Sequence, residues 1–373
     1  MKTLIFPSEF SDNRGGVPQS TIALASGLSA SGNYLVVIVC PKDSEMSKVH
    51  FTKNVRIVTT PQTQWTISKF NPIGTIYTAF SIYKRIKPFL KSDAWIITNQ
   101  PVTSSLVALM PCSHIPEIYI NRGGNLNGHS PVGYFIRYKL KHHIIDAAIG
   151  ISRRQIDVLL AAGQTKERVY LIHNGLSLPT RDYSFKQLNK QNLRISTMGF
   201  ISDLKNQKEG VKLIKLLRDN GINAVLNLYG DPDDDKQYQQ EITELINQLK
   251  VKDYINFCGF VSGEDLFNET DVLISFSKSE GFGRSIVEGM LRKKPVIAWR
   301  GAGGPVDITD DGKYCHLVQT NKANEYYEII LQLLNNPQYN EQNTIESYQY
   351  AMNNFTTSCM VNKYVELFNK ICK

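Results

Sequence analysis

The chain has 373 residues, 42% hydrophobic and 20% charged, too long for one ordinary domain and comfortable for two, each able to bury its own core. No run approaches the roughly 18 apolar residues of a membrane span, the start MKTLIFPSEFSDNRGG turns polar too soon for a signal peptide, and six singly spread cysteines argue against a disulfide framework or zinc site. Of the net charge of +8, residues 1–185 carry +10 (20 Lys and Arg against 10 Asp and Glu) and the rest −2 (22 against 24), so the two halves face different partners.

Thr3 to Phe6 reads as a buried strand, followed by Asn13-Arg14-Gly15-Gly16-Val17 and a helix with Thr21, Leu24 and Leu28 on one face, ending at Gly32. A Gly-Gly pair is more often a tight turn than a site, but after a first strand it can also bring backbone close to a ligand. Tyr34–Cys40, Val55–Thr59, Ala94–Thr98, Glu117–Asn121 and Ala147–Ile151 read as further strands alternating with helical segments. That alternation implies a doubly wound sheet, whose ligands lie beyond the carboxyl ends of strands. The rule picks out Gly15, Gly16, Asn121 and Arg122.

Two segments concentrate the basic excess, Phe80–Lys91 (FSIYKRIKPFLK) and Tyr134–His143 (YFIRYKLKHH). Each mixes aromatics with Lys and Arg at helical spacing, as helices at a membrane surface do and as ordinary amphipathic helices also do. A basic half of this kind calls for an anionic partner: nucleic acid, an anionic membrane or a lipid-diphosphate acceptor.

Arg168–Ile172 reads as a strand leading to a turn at His173-Asn174-Gly175, and the polar stretch 177–192, with Pro179, as an interdomain linker. A second Rossmann-like unit begins at Leu193–Met198, followed by the loop Gly199-Phe200-Ile201-Ser202-Asp203-Leu204-Lys205-Asn206. Ala224–Tyr229 ends at Gly230, and Asn256–Val261 is a short strand. Asp231-Pro232-Asp233-Asp234-Asp235 has metal-like spacing, but an acidic run beside Pro reads as an exposed loop.

The most informative stretch follows. Between the apolar runs Asp271–Phe276 and Pro295–Trp299 lie Glu280 and Glu288, with seven residues between them that open on Gly281-Phe282-Gly283. This reads as strand, loop, helix, strand in a buried parallel sheet, the helix starting near Gly283 or Arg284. Such a start favours anions through free N–H groups and the helix dipole. An anion between two carboxylates suits a diphosphate with hydroxyls at each end, which is a nucleotide sugar.

Glu280, Gly281-Phe282-Gly283, Glu288, Met290, Pro295-Val296-Ile297 and Gly303-Gly304-Pro305 resemble the donor-site motif of the family 4 glycosyltransferases, retaining enzymes of the GT-B fold. The chain departs from that pattern at Lys293 (usually Gly), at Asp307 (usually Glu), after Gly199, where Phe200 and Ile201 replace an Arg, and near Asn121, where a His is usual. The resemblance implies an α/β GT-B architecture of two Rossmann-like domains facing across a cleft. The domains would be 1–176 for the acceptor and 193–354 for the donor, joined by 177–192, with a helix over 355–373 returning to the first.

The resemblance also implies roles. Glu288 would hold the ribose, Glu280 the transferred sugar, and Lys205 with the N–H groups of Gly283, Arg284 and Ser285 the diphosphate. Phe260 and Val261 would offer backbone to the base, and Gly15 and Gly16 would approach the phosphates and acceptor. Asn121 or Arg122 would replace the usual His, with His114, His129 and Arg14 as further candidates, and Lys208 or Arg284 could supply the second positive charge. The donor would be a nucleotide sugar, UDP foremost, used without metal or cofactor. The acceptor would be a glycan or lipid-linked glycan, reached from the cytoplasm, with peripheral contact at the membrane's inner face, and nucleic acid is not an expected partner. A nucleotide-sugar 2-epimerase and a non-catalytic subunit are the alternatives.

Overall fold

The computed structural model describes residues 1–10, 15–51, 54–65, 67, 71–112, 114–123, 126, 131–231, 235–261 and 264–371. Arg14, Gly124, His129, Asp233 and Asp234 fall outside these. The chain forms two compact units, Met1–Gly175 with Thr357–Lys373, and Leu176–Thr356.

In the first unit the described strands are β1 (Lys2–Pro7), β2 (Tyr34–Pro41), β3 (Val55–Thr60), β4 (Ala94–Thr98), β5 (Glu117–Asn121), β6 (Ala147–Gly150) and β7 (Val169–Leu171), in the spatial order β3-β2-β1-β4-β5-β6-β7. All pair in parallel, with Ile5 between Val37 and Ile96 at the centre. Such strands are covered on both faces, so they are nearly continuous apolar runs: Val36 through Cys40 are wholly buried. The helices between them are α1 (Gly16–Ala30), α2 (Pro72–Ile86), α3 (Pro101–Ala108), α4 (Pro131–Lys141) and α5 (Arg153–Ala161). The last helix, Thr357–Ile371, joins this unit through Phe368, whose ring lies 5.5 Å from that of Tyr34 and 6.3 Å from that of Trp95. Gly27 of α1 lets it approach, since a Cβ there would sit 2.5 Å from Val361.

The helix read over Phe80–Lys91 starts earlier and stops sooner. Asn71 caps it by accepting from the Gly74 N–H at 2.8 Å, with Pro72 in the first turn, and it ends at Ile86, where a 3₁₀ turn over Lys87–Phe89 accommodates Pro88. In α4 one of the basic residues is wholly buried. Lys139 pairs with Glu117 and donates to the Ser104 carbonyl at 2.8 Å and hydroxyl at 2.9 Å, while Glu117 also accepts from Thr98 at 2.7 Å. The group ties α4 to α3, β4 and β5. Lys139→Ala strands a buried carboxylate and is expected to cost about 3–5 kcal/mol, read as a lowered urea midpoint with an unchanged slope.

The second unit repeats the plan with β8 (Leu193–Met198), β9 (Ala224–Tyr229), β10 (Ile255–Gly259), β11 (Val272–Ser275), β12 (Val296–Trp299) and β13 (His316–Val318), ordered β10-β9-β8-β11-β12-β13 and parallel throughout. Its helices are α6 (Gln207–Asp219), α7 (Lys236–Gln248), α8 (Asp265–Asn268), α9 (Arg284–Met290), α10 (Gly304–Ile308), α11 (Ala323–Asn335) and α12 (Pro337–Asn354). Strand order reverses between β8 and β11, which makes their carboxyl ends the place for a ligand. Residues 177–192, read as a linker, belong to this unit. Glu264 accepts from the N–H groups of Thr180 (2.6 Å) and Arg181 (3.1 Å), and Tyr183 meets Phe267 edge-on at 6.5 Å.

Among the described residues no helix is long and apolar enough to cross a membrane, and no group of three or more His, Cys, Asp or Glu could hold a metal ion.

Candidate functional site

β8 ends at Met198, and the chain turns at Gly199, whose φ of +136° favours glycine. A Cβ at Gly199 would lie 2.8 Å from Lys205 Cε, and one at Gly230 (φ +152°) would lie 2.1 Å from the Gly199 carbonyl oxygen. The two backbones thus meet where no side chain fits, and the lysine stem lies across the first glycine. A turn in which Lys205 and Asn206 both donate to the Ser202 carbonyl, at 3.0 and 3.1 Å, then starts α6. It aims Lys205 at the end of β11, where Nζ lies 2.5 Å from Glu280 Oε1.

Glu280 is held by backbone on its other side. Its N–H donates to the Ala302 carbonyl at 2.9 Å, and its carbonyl accepts from Gly304 at 3.0 Å, an extension of the pairing between β11 and β12. Gly304 has to be glycine, because a Cβ there would lie 2.4 Å from the Phe282 carbonyl oxygen. The loop 199–206 is fixed to the same segment by Lys278, which donates its N–H to Leu204 at 2.8 Å and its Nζ to Asp203 at 2.5 Å. Three loops from the ends of β8, β11 and β12 therefore place one carboxylate and one ammonium.

Gly283, with φ +99°, turns the chain into α9, and buried Ile286, Val287 and Met290 anchor that helix to the core. The Arg284 and Ser285 N–H groups precede the first bond of this turn, which Ile286 donates to the Gly283 carbonyl at 3.0 Å. Glu288 sits one turn in and pairs with Arg284 (Nε to Oε1, 2.9 Å), while Arg284 Nη1 is buried with no hydrogen-bond partner among the described residues. Gly281, Phe282 and Ser285 complete the segment, Phe282 buried with its ring 5.9 Å from that of Phe355.

Other expected residues stand apart from this arrangement or are already engaged. Lys208 pairs with Glu241 and lies 4.6 Å from the Tyr238 ring centre, which makes it a structural cation. The Phe260 N–H donates to Asp231 at 3.0 Å, so it is already engaged, and Val261 packs against the cluster of Tyr183, Tyr229, Leu266 and Phe267. Asp231 thus serves to hold the end of β10, a role that its place in an acidic run did not signal.

In the first unit, Gly15 and Gly16 precede and begin α1, and neither needs to be glycine for the fold. Gly15 has φ −72°, and a Cβ at Gly16 would meet nothing within 4 Å. Among the described residues nothing crowds either position. Asn121, at the end of β5, is 1% exposed, and neither amide atom has a hydrogen-bond partner among the described residues. Arg122 gives Nη1 to Asn174 Oδ1 at 2.6 Å, and its Nε has no partner among the described residues. Burial lowers the pKa of this guanidinium, and nearby Tyr364 opposes the shift.

Two parallel-sheet Rossmann-like units, each with its reversal of strand order, define the GT-B class of fold. Anabaena HepE, solved in complex with UDP and glucose, superposes with a TM-score of 0.78 at 18% identity, over 99% of this chain and all of that one (100%). Residues 180–352, within the second unit, match the family of glycosyl transferases group 1. A probable sucrose-phosphate synthase of Thermosipho melanesiensis is 27% identical over 225 residues, 56% of this chain and 48% of that protein. The chain thus spans about half the length of that relative. An uncharacterised glycosyltransferase of Methanocaldococcus jannaschii is 27% identical over 295 residues, 76% of each.

Proposed function

We propose that the protein is a retaining glycosyltransferase that moves a sugar from a nucleotide sugar, UDP-linked, to a glycan or lipid-linked acceptor in cell-envelope polysaccharide synthesis, working in the cytoplasm. The observation that carries this reading is the Lys205–Glu280 pair, fixed by three loops at the strand-order reversal of a glycosyl transferases group 1 domain. The crystal complex of HepE with UDP and glucose supports the choice of donor.

On this reading Glu280 accepts hydrogen bonds from hydroxyls of the transferred sugar and Glu288 from those of the ribose. Breaking the glycosidic bond builds positive charge on the sugar and negative charge on the departing diphosphate. Lys205, Arg284 and the N–H groups of Gly283, Arg284 and Ser285 face that growing negative charge already in place, which is the efficient way to stabilise it. The leaving phosphate oxygen takes the acceptor hydroxyl's proton on the same face, so configuration is kept. Neither metal nor cofactor has a part in this scheme. Gly15, Gly16, Asn121 and Arg122 of the first unit serve the phosphates and acceptor, Asn121 with two amide atoms to offer.

A thermal-shift panel of nucleoside diphosphates and their sugars tests this without knowledge of the acceptor. One base and one sugar are expected to stabilise the chain by about 2.7 kcal/mol at a hundred times Kd, and Glu288→Ala should remove most of that gain. No stabilisation across the panel would overturn the donor site. Consumption of donor without acceptor would mark an epimerase instead.

A further inference from the structure

Helix α2 is inverted over its first half. The side facing the sheet carries Thr75, Thr78 and Ala79, while Ile73, Ile76, Tyr77 and Phe80 point outward, 80%, 60%, 58% and 57% exposed. Spaced i, i+3, i+4 and i+7, these four form one stripe on the helix. A helix that only packed on its sheet would place its large apolar residues the other way round. The exposed Lys84, Arg85, Lys87 and Lys91 follow directly.

The neighbouring helices continue the surface. α2 packs on α3 and α3 on α4, forming one layer. Leu109 follows α3, and Tyr134 and Tyr138 stand on α4 beside the exposed Lys141 and His142. Of the large exposed hydrophobics described in the first unit, only Met1, Ile144 and Leu171 lie off this layer. Residues 46–92 hold eight Lys and Arg and no Asp or Glu. Apolar and aromatic side chains in a stripe, bordered by the exposed Lys84, Arg85, Lys87 and Lys91, fit the boundary between acyl chains and anionic headgroups. A second copy of this chain fits poorly, because a two-fold contact through this face would set the basic rows against each other.

We propose that the α2–α4 layer docks the first unit on an anionic lipid bilayer, with Ile73, Ile76, Tyr77 and Phe80 entering the headgroup boundary and Lys84, Arg85, Lys87 and Lys91 facing the headgroups. The surface goes beyond the sugar-transfer reading and stands without it, since it uses none of the donor-site residues and is tested with no sugar present.

The test is co-sedimentation of the full chain with phosphatidylcholine vesicles, with and without phosphatidylglycerol. Binding is expected only with phosphatidylglycerol and should weaken as salt rises. Each basic residue near the surface strengthens binding about fivefold, so Lys84→Ala, Lys87→Ala and Lys91→Ala combined should weaken it about a hundredfold. Ile76→Ser, Tyr77→Ser and Phe80→Ser combined should abolish it while thermal stability is kept, because all three side chains are exposed. No binding to phosphatidylglycerol vesicles at low salt would overturn the proposal. So would binding that both variants leave unchanged, or self-association lost in the serine variant in place of vesicle binding, which would assign the stripe to a second copy of the chain.

Discussion

Lys205→Ala is expected to lower turnover by about a hundredfold or more, the scale seen when one preorganised group facing developing charge is removed. In the free protein the ammonium lies 2.5 Å from Glu280, whose side chain is 14% exposed. On the proposed reading Lys205, held in place by Glu280, shares its charge with the leaving diphosphate, where charge grows most in the transition state. The loss should therefore fall on kcat more than on KM. Steady-state release of nucleoside diphosphate measures both. Lys208→Ala is the control, because Lys208 already neutralises Glu241 and covers Tyr238. Equal losses in the two variants would remove Lys205 from the chemistry.

The second large effect is expected at a residue with no side chain, Gly304. Gly304→Ala places a methyl 2.4 Å from the Phe282 carbonyl oxygen and 3.0 Å from that of Glu280. Both obstacles are backbone, so neither can swing aside, and the segment carrying Glu280 must move. A displacement of about 1 Å at a reacting centre costs on the order of a hundredfold in kcat/KM, and a lowered Tm should accompany it. Gly16→Ala gives the contrast, as open space surrounds the new methyl and the melting temperature should not change. If Gly304→Ala retains full activity, Glu280 is not held by the pairing with Ala302 and Gly304.

Much of the candidate site was legible in the sequence because its signals are local. Glycine with φ > 0 at positions 199 and 283, β-branched runs on either side, and two glutamates at fixed spacing state a strand, turn and helix without reference to anything distant. The partners of those residues were not legible. Lys205 and Glu280 are 75 positions apart, and nothing in either segment says that Asp203, Lys278 and Ala302 will lock their loops together. The segment 177–192 looked like a linker because it is polar and holds Pro179, yet the Glu264 carboxylate pins it by main-chain N–H groups, which carry no side-chain signature.

The helices of the first unit show the same limit from the other side. Helical periodicity in Tyr134–His143 is real, but it does not say which of its cations is buried, because a lysine is almost never fully buried without a partner. That partner, Glu117, stands on a strand 22 residues earlier. In α2 the reading began at the aromatic and basic residues and missed the exposed stripe upstream, since Ile73 and Ile76 in a sequence look like core.

The sequence by itself determined the two parallel sheets, the glycine turns and the identity of the charged residues near the second sheet's reversal point, because burial on both faces and backbone sterics act over a few residues. Only the tertiary structure decided which charges are engaged in pairs, which carboxylate faces which cation, and which apolar residues remain exposed. Those outcomes depend on side chains brought together across many tens of residues, where the desolvation of one group is settled by a neighbour that its own segment does not specify.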